Sequence, residues 1–388
     1  MSEDSIQGDE STNRVSRRSV LAAGTAAAVG LAGCLGSDDP GPEPNDDGDS
    51  TDEGGPPTAS TSRIEDPPDA VYLPSHRSPV TMLDPIQAGE YMLLPHHTLQ
   101  HQFWLMRGND DEPERTDPRG RGLHFMFAVW DAETGKMLPV DIGLGMTVRR
   151  DGQQIDRRQP WPMISQEMGF HFGDNIQFPE SGDYEIEVNL NPIGTRKTGA
   201  FSDRFEEGAT AEFGFEYDTD LVITAADEVE YLDEKRWGEP GALEPMGHGD
   251  GMDDGGMGGG MGPGVGLPPA ESYPGTDLGV PRSGEADFVV RQLASSRLAN
   301  GDEYLFVSPR TPYNRVPLPD MSLSVEGDVE GSLTQTLDSE LGHHYGLTAD
   351  LASGDTFDIV TETPPQVARH QGYETAFIDM PPVTVEMP

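Results

Sequence analysis

EMGFHFG at residues 167–173 has a second version in the same chain, ELGHHYG at residues 340–346. Each copy is followed by a Ser-Gly-Asp turn, at residues 181–183 and 353–355, that leads into a β-type segment. Similarity that returns at a fixed interval indicates two copies of one folding unit.

His171 and His344 hold the same place in the two copies. A histidine beside a glycine and an aromatic residue in both copies favours a repeated binding site, or the remnant of one. The alternative is that both histidines are only polar residues at the ends of strands.

Alternating apolar and polar residues predict strands rather than helices. Residues 184–190 alternate strictly, and Phe125, Phe127 and Val129 fall on one face of another segment. Proline and glycine separate such segments, and no pattern of a long amphipathic helix occurs. The sequence therefore predicts an all-β protein of two immunoglobulin-like antiparallel β-sandwich domains joined by a flexible linker. Two mixed α+β domains are the alternative.

Composition divides the chain into five segments. In order they are a twin-arginine lipoprotein signal (1–34), a disordered acidic tether (35–67), a first sandwich (68–220), a linker rich in glycine, methionine and aspartate (221–275) and a second, degenerate sandwich (276–388). The linker carries thioethers and one imidazole, at Met246, His248, Met252, Met257 and Met261. These residues either capture Cu(I) or are incidental in a disordered segment.

The N-terminus indicates export. SRRSVL at residues 16–21 is a twin-arginine motif, and the apolar stretch 21–31 is too short to span a membrane. LAGC at residues 31–34 matches a lipobox that ends at Cys34. We therefore expect a folded protein anchored by a lipid on Cys34 to the extracellular face of the cell membrane.

Charge and cysteine usage exclude several classes of function. The formal net charge is −44, which is typical of proteins from halophiles and makes nucleic acid a poor partner. Cys34 is the single cysteine, so an intrachain disulfide is excluded, and as the expected lipidation site it leaves no thiolate for a cysteine-based zinc site or a blue-copper centre. Any metal ion must be held by histidine, methionine, aspartate or glutamate.

The first unit carries three ordered elements of a known family. PMISQEMGFHFGDNI at residues 162–176 has a Pro-Met ahead of a His-aromatic-Gly-x-Asn, and PESGDY follows at residues 179–184. Upstream, residues 124–126 read His-Phe-Met. This pattern resembles the periplasmic iron-transport lipoproteins, which are immunoglobulin-like metal-binding partners of high-affinity iron permeases. The resemblance implies a protein that binds iron or copper outside the membrane and works beside a permease.

The ligand set that this resemblance implies is His124, Met126, Met163 and His171. Residues two apart on a strand project from the same face, as His124 and Met126 would. Imidazole with thioether suits copper and tolerates ferrous iron. Met168, close by, is either core packing or a further ligand.

The chain also departs from the family pattern. The interval from Met163 to His171 is one residue longer, and Met126 stands where the family has glutamate. The Arg-His that the family carries later is Arg196-Lys197 in the first unit. The second unit keeps Arg-His at residues 369–370 but has no histidine matching His124.

The second unit also keeps His344, and Thr336 stands where Met163 would be. Because His344 and His370 would complement the first unit, we expect an internal pseudo-dimer, or a homodimer, with one composite site. The alternative is that the second unit has lost its site and keeps these two histidines for surface hydrogen bonding.

A further group of histidines lies upstream of the family motif. His96, His97 and His101 predict a surface metal patch, with solvated loop histidines as the alternative, and His76 is a weaker candidate of the same kind. The sequence as a whole predicts a non-enzymatic metal-binding protein. A copper- or iron-dependent extracellular oxidoreductase and a structural surface module without metal are the alternatives.

Overall fold

The computed structural model describes residues 68–109, 113–246, 266–294, 296–299 and 303–388. The twin-arginine motif, Cys34, the tether and the linker residues His248, Met252, Met257 and Met261 lie outside the described residues. All described residues belong to one compact unit, Pro56–Pro388. No helix in the described ranges is both long enough and apolar enough to cross a membrane.

The first half of the described chain is built from short strands. They are β1 (His76–Arg77), β2 (Thr81–Met82), β3 (Ile86–Ala88), β4 (Tyr91–Leu99), β5 (Phe103–Leu105), β6 (Glu114–Thr116), β7 (Gly122–Asp131), β8 (Gly145–Arg150), β9 (Gln153–Arg158), β10 (Trp161–Ser165), β11 (Gly169–Gln177), β12 (Gly182–Leu190), β13 (Arg196–Thr198), β14 (Ala209–Tyr217) and β15 (Glu230–Tyr231). The helix α1 (Thr219–Asp227) and 3₁₀ turns at Gly199–Phe201 and Glu234–Arg236 complete this half.

The second half repeats this pattern of short strands. They are β16 (Thr276–Asp277), β17 (Arg282–Ser283), β18 (Ala286–Ala294), β19 (Glu303–Arg310), β20 (Ser322–Gly327), β21 (Gly331–Asp338), β22 (Gly342–Thr348), β23 (Thr356–Thr363), β24 (Ala368–Arg369) and β25 (Val383–Glu386). The short helix α2 (Ser296–Ala299) and a 3₁₀ turn at Ala270–Ser272 are its other regular elements.

Two layers enclose the core of the first half. One sheet runs in the order β2-β4-β7-β11-β10-β24-β5-β6, with β3 also on β4, and the other runs β14-β12-β8-β9. The alternating residues of β12, such as Tyr184 and Ile186, are buried between these layers with Phe125 and Phe127 of β7. The predicted alternation therefore corresponds to the inner faces of a sandwich.

The second half has the same strand order along its main sheet. The sequence β18-β19-β22-β21 corresponds to β4-β7-β11-β10, and the sheet continues through β20, β23 and β25. Phe205 and Phe377 mark equivalent points, because both have positive φ and both amides donate to a glutamate, Glu90 and Glu285 respectively. The prediction of an all-β fold of sandwich type is confirmed.

Each half contributes one strand to a sheet of the other half. The strand β24, from the second half, pairs in parallel with β10 of the first, opposite Met163 and Ile164. In return β13, from the first half, pairs in parallel with β21 of the second, opposite Thr336, Leu337 and Asp338. These two parallel pairings correct the prediction of purely antiparallel sheets. They arise because each of the two strands joins a sheet of the opposite half.

Part of the expected linker is folded. Its first residues continue α1, its β15 pairs with β1, and the Met246 amide donates to the Glu167 carbonyl. Residues 221–246 therefore pack on the first half, and residues 266–275 carry the 3₁₀ turn Ala270–Ser272 beside the second half's strands.

Candidate metal centre

Three buried histidines converge where β24 joins the first half's main sheet. His124 lies on β7, His171 on β11 and His370 directly after β24, and one nitrogen of each ring lies within 4.8 Å of the others. Each side chain is at most 1 % exposed. Histidines at this separation and burial form a set that could hold a transition-metal ion.

Asn175 fixes the ring of His124 from the neighbouring strand. The two residues face each other in the register of β7 and β11, with His124 Nδ1 3.0 Å from Asn175 Oδ1. The amide oxygen only accepts, so Nδ1 carries the proton and Nε2 keeps its lone pair. His124 Nε2 is buried and has no hydrogen-bond partner among the described residues. Such an atom costs about 1–3 kcal/mol, which coordination would recover.

A backbone carbonyl fixes the second ring in the same way. His171 Nδ1 lies 3.1 Å from the Gly169 carbonyl oxygen, so Nδ1 donates and Nε2 is the lone-pair nitrogen. His171 Nε2 lies 3.0 Å from His370 Nε2, and His370 Nδ1 is buried without a partner among the described residues. A tautomer fixed through the outer nitrogen is how proteins orient a metal-binding imidazole.

The buried Arg369 guanidinium holds His370 in position. It donates hydrogen bonds of 2.8–3.2 Å to four backbone carbonyls, those of Pro365, Val367, Ala376 and Phe377. The His370 amide also donates to the Ile164 carbonyl on β10. The Arg-His pair therefore clamps its own loop and delivers one imidazole into the other half's sheet.

Met163 borders the same space from β10. It is fully buried and faces His171 across the strand pair. A Cβ atom on Gly173 would lie 2.8 Å from His124 Nε2 and 3.0 Å from Met163 Sδ. Glycine at residue 173 therefore keeps room between an imidazole nitrogen and a thioether, and the donor set fits copper or ferrous iron.

Met126 lies beside this group. It is buried, faces Gly173 in the β7–β11 register and faces His96 in the β4–β7 register. It shares the face of β7 that carries His124, as predicted from their spacing. Its sulfur would complement the centre from the side of β4.

Burial keeps the rings neutral. It lowers the pKa of His124 to about 4, against a smaller opposing effect of the Asn175 hydrogen bond. Burial and the His124 charge lower the pKa of His171 to about 3, and burial also lowers the pKa of His370 well below its usual range. All three rings are therefore deprotonated near pH 7, which is the form that binds a metal ion.

His344 belongs to a different environment. Its Nδ1 repeats the contact of His171, with 3.1 Å to the Gly342 carbonyl, but its Nε2 lies 3.2 Å from the hydroxyl of Tyr304. Neither His344 nor His370 is at the surface, so the alternative of surface hydrogen bonding is wrong for both. The structure brings His370, and not His344, to the centre.

The register corrects one predicted equivalence. Arg369 faces Ile164 on β10, and Lys197 faces Leu337, the repeat equivalent of Ile164, on β21. The residue in the place of His370 is therefore Thr198, not Lys197. Thr198 Oγ1 donates to Asp338 at 2.7 Å.

The predicted surface patch does not exist as such, because its histidines are buried on different sides of the sheet. His97 packs in the core, 5.6 Å from Phe125 and 5.2 Å from Phe215 between ring centroids. His96 faces Met126 on the other side, and His101 follows β4. Strand pairing buries these residues because β4 lies inside the sheet, flanked by β2 and β7.

Two residues at the centre were not singled out from the sequence. Asn175 and Gly173 lie within the family-like stretch, but only the strand register shows that one orients His124 and the other keeps space beside it. The repeat offered a signal, since a glycine also occupies position 346. Met168, by contrast, lies buried in the β10–β11 turn, and its backbone amide donates to Ser165 Oγ.

Comparisons with known proteins show similarity to one family model and to solved structures. Residues 271–386 match a family model described as a domain of unknown function, DUF7350. No curated protein matches the chain. Two solved structures of FetP from uropathogenic Escherichia coli strain F11, a copper-bound variant and the protein as isolated, are similar to it at 18 % identity and a TM-score of 0.26. The similarity covers 36 % of this chain and 97 % and 96 % of those chains. At this identity and score, the likeness carries no functional argument.

Proposed function

We propose that this protein is a non-enzymatic metal-binding protein that takes up a copper or ferrous ion at His124, His171 and His370, with Met163 as thioether ligand. The cation is cargo, and the protein serves iron uptake outside the membrane. Three imidazoles with one thioether favour copper first and ferrous iron second.

One observation carries this proposal. Nitrogen atoms of three fully buried histidines from both halves of the chain lie within 4.8 Å of one another. Burial of several imidazoles with unpartnered nitrogens costs free energy, and a shared cation would recover it. Packing alone gives no reason to collect these groups around a glycine.

The proposed location and partner rest on the sequence. The twin-arginine motif and the lipobox support export and a lipid on Cys34, and the family resemblance supports a permease as partner. Cys34→Ser should release the protein from the membrane fraction. A processed variant that stays in the membrane fraction would contradict the anchor.

The test of the centre is metal titration of purified protein in molar salt, with Cu(II) and Fe(II) as probes. His171→Gln should weaken Cu(II) binding at least tenfold, which corresponds to about 1.4 kcal/mol. The matched control is His344→Gln, which removes the equivalent histidine of the second copy and should leave the affinity unchanged.

Three outcomes would overturn the proposal. Absence of metal binding by the wild type favours a structural module. Binding that survives loss of both His124 and His171 places the site elsewhere. Steady turnover of an added electron donor by the metal-loaded protein favours an oxidoreductase.

A further inference from the structure

The three histidines of the centre are the inner end of a longer series of imidazoles. Centroid distances are 5.1 Å from His171 to His370, 5.5 Å from His370 to His124 and 5.4 Å from His124 to His101. His101 also lies 5.7 Å from His370, and the ring centroids of His76 and His101 are 5.8 Å apart with 24° between the ring planes. Five rings thus form one continuous group.

We propose that His76 and His101, termed here the outer pair, form a second cation-binding position through which a copper or ferrous ion reaches the inner centre. This inference rests on the function proposed above. It assigns two cations to each chain, a tightly held inner one and a more weakly held outer one.

The spacing of the outer pair fits a shared cation. A metal–nitrogen bond of about 2.0–2.1 Å puts the centroids of two imidazoles that share one ion roughly 5–6 Å apart. The observed 5.8 Å lies in that range. Two imidazoles form a weaker site than three with a thioether, as an entry position requires.

One ring nitrogen of His76 is available to a metal ion. Its Nδ1 lies 2.8 Å from Ser75 Oγ, whereas its Nε2 is buried and has no hydrogen-bond partner among the described residues. A buried ring nitrogen without a partner is available to coordinate a cation.

One side chain aligns the outer pair with the inner centre. Asn175 Oδ1 accepts from the His101 amide at 3.2 Å and contacts His124 Nδ1, while Asn175 Nδ2 donates to the His101 carbonyl at 2.8 Å. His101 and His124 are thus fixed by the same amide group. A cation at the outer pair would lie next to the inner centre.

His76 is the end of the series nearer to solvent. It lies on the two-stranded β1–β15 ribbon, opposite Tyr231. The Tyr231 ring is 6.2 Å from the His76 ring, and Tyr231 is 56 % exposed. The order from solvent inward is therefore Tyr231, His76, His101 and then the inner histidines.

The test is titration of the full chain with Cu(II), together with the rate at which Cu(II) fills the inner centre in stopped-flow mixing. The wild type should bind two Cu(II) ions. His76→Gln/His101→Gln should bind one, with the inner affinity retained and the loading rate at least tenfold lower. His76→Gln alone, on the ribbon outside the main sheets, should show the same direction of change and guards against a folding defect.

The matched control is His97→Phe, which removes an equally buried histidine of β4 from the opposite face of the sheet and should leave both ions and the loading rate unchanged. If the wild type binds one Cu(II) ion and the outer-pair variants load at the wild-type rate, the inference is wrong while the proposed function stands. If the wild type binds none, both are wrong.

Discussion

The hairpins β10–β11 and β21–β22 share one backbone plan but surround different interiors. Residues 171 and 344 are equivalent, an interval of 344 − 171 = 173, and both rings donate from Nδ1 to a carbonyl two residues earlier. In the first copy a glycine keeps space beside an unpartnered imidazole nitrogen. In the second copy a phenol fills the equivalent space.

The phenol belongs to Tyr304, which occupies the register position of His124. His124 faces Asn175 on β11, and Tyr304 faces Thr348, the equivalent residue, on β22. Arg196 donates to the Tyr304 hydroxyl at 3.3 Å and lies 5.7 Å from its ring centroid. A guanidinium and a phenol thus contact the equivalent imidazole in the second copy, whereas the candidate centre of the first copy keeps a buried nitrogen without a partner among the described residues.

Substitution of Gly173 and of Gly346 should reveal the largest difference between the two copies. A Cβ on Gly346 would lie 2.0 Å from the Tyr304 hydroxyl oxygen, so Gly346→Ala should lower the free energy of unfolding by about 1–3 kcal/mol without changing metal affinity. Gly173→Ala puts a Cβ 2.8 Å from His124 Nε2 and should instead weaken Cu(II) binding about tenfold or more. Denaturant unfolding and Cu(II) titration in molar salt measure both, and equal effects of the two variants would contradict the comparison.

Asn175 and Thr348, which face His124 and Tyr304, give a second test of the difference between the two copies. Asn175→Ala should weaken Cu(II) binding about 10–100-fold, because the outer partner of a ligating imidazole sets its tautomer and orientation. Thr348→Ala, at the equivalent exposed position, should leave the affinity unchanged. Asn175→Asp keeps an oxygen acceptor for His124 Nδ1 and should restore most of the affinity. If it binds as weakly as Asn175→Ala, the role of Asn175 is only to support the fold.

The smallest expected effect is on acid stability. Burial lowers the pKa of His124 and His344 to about 4, below the ordinary 6.5 of the unfolded chain. The unfolded state therefore binds more protons between these values, so stability is complete above about pH 6.5 and declines as the pH falls toward about 4. Both halves contribute in the metal-free protein, but bound metal should protect only the first. Acid titration with and without Cu(II) should show a lower midpoint with the metal, and an unchanged midpoint would contradict a cation at His124.

Much of the fold could be predicted from the sequence. The alternation in segments such as residues 184–190 follows from the two-residue period of a strand, and the repeat indicates two copies of one unit, so together they predicted a duplicated sandwich. The family-like elements also named His124, Met163 and His171, which the structure brings together with His370. The burial of β4, and with it of His96 and His97, was not predicted, because local sequence does not show which strands lie inside a sheet.

The amino-acid sequence sets the available chemistry: histidine and methionine as ligands, a single cysteine that is the expected lipidation site, and two copies of a β-type unit. Which copy assembles the three-histidine cluster depends on tertiary structure. The decisive element is β24, whose pairing with β10 carries His370 into the first half's sheet. The physical reason is that pairing between strands distant in the chain depends on their register at the sheet edge. A shift of one residue would put Arg369 in the place of His370, or Lys197 in the place of Thr198.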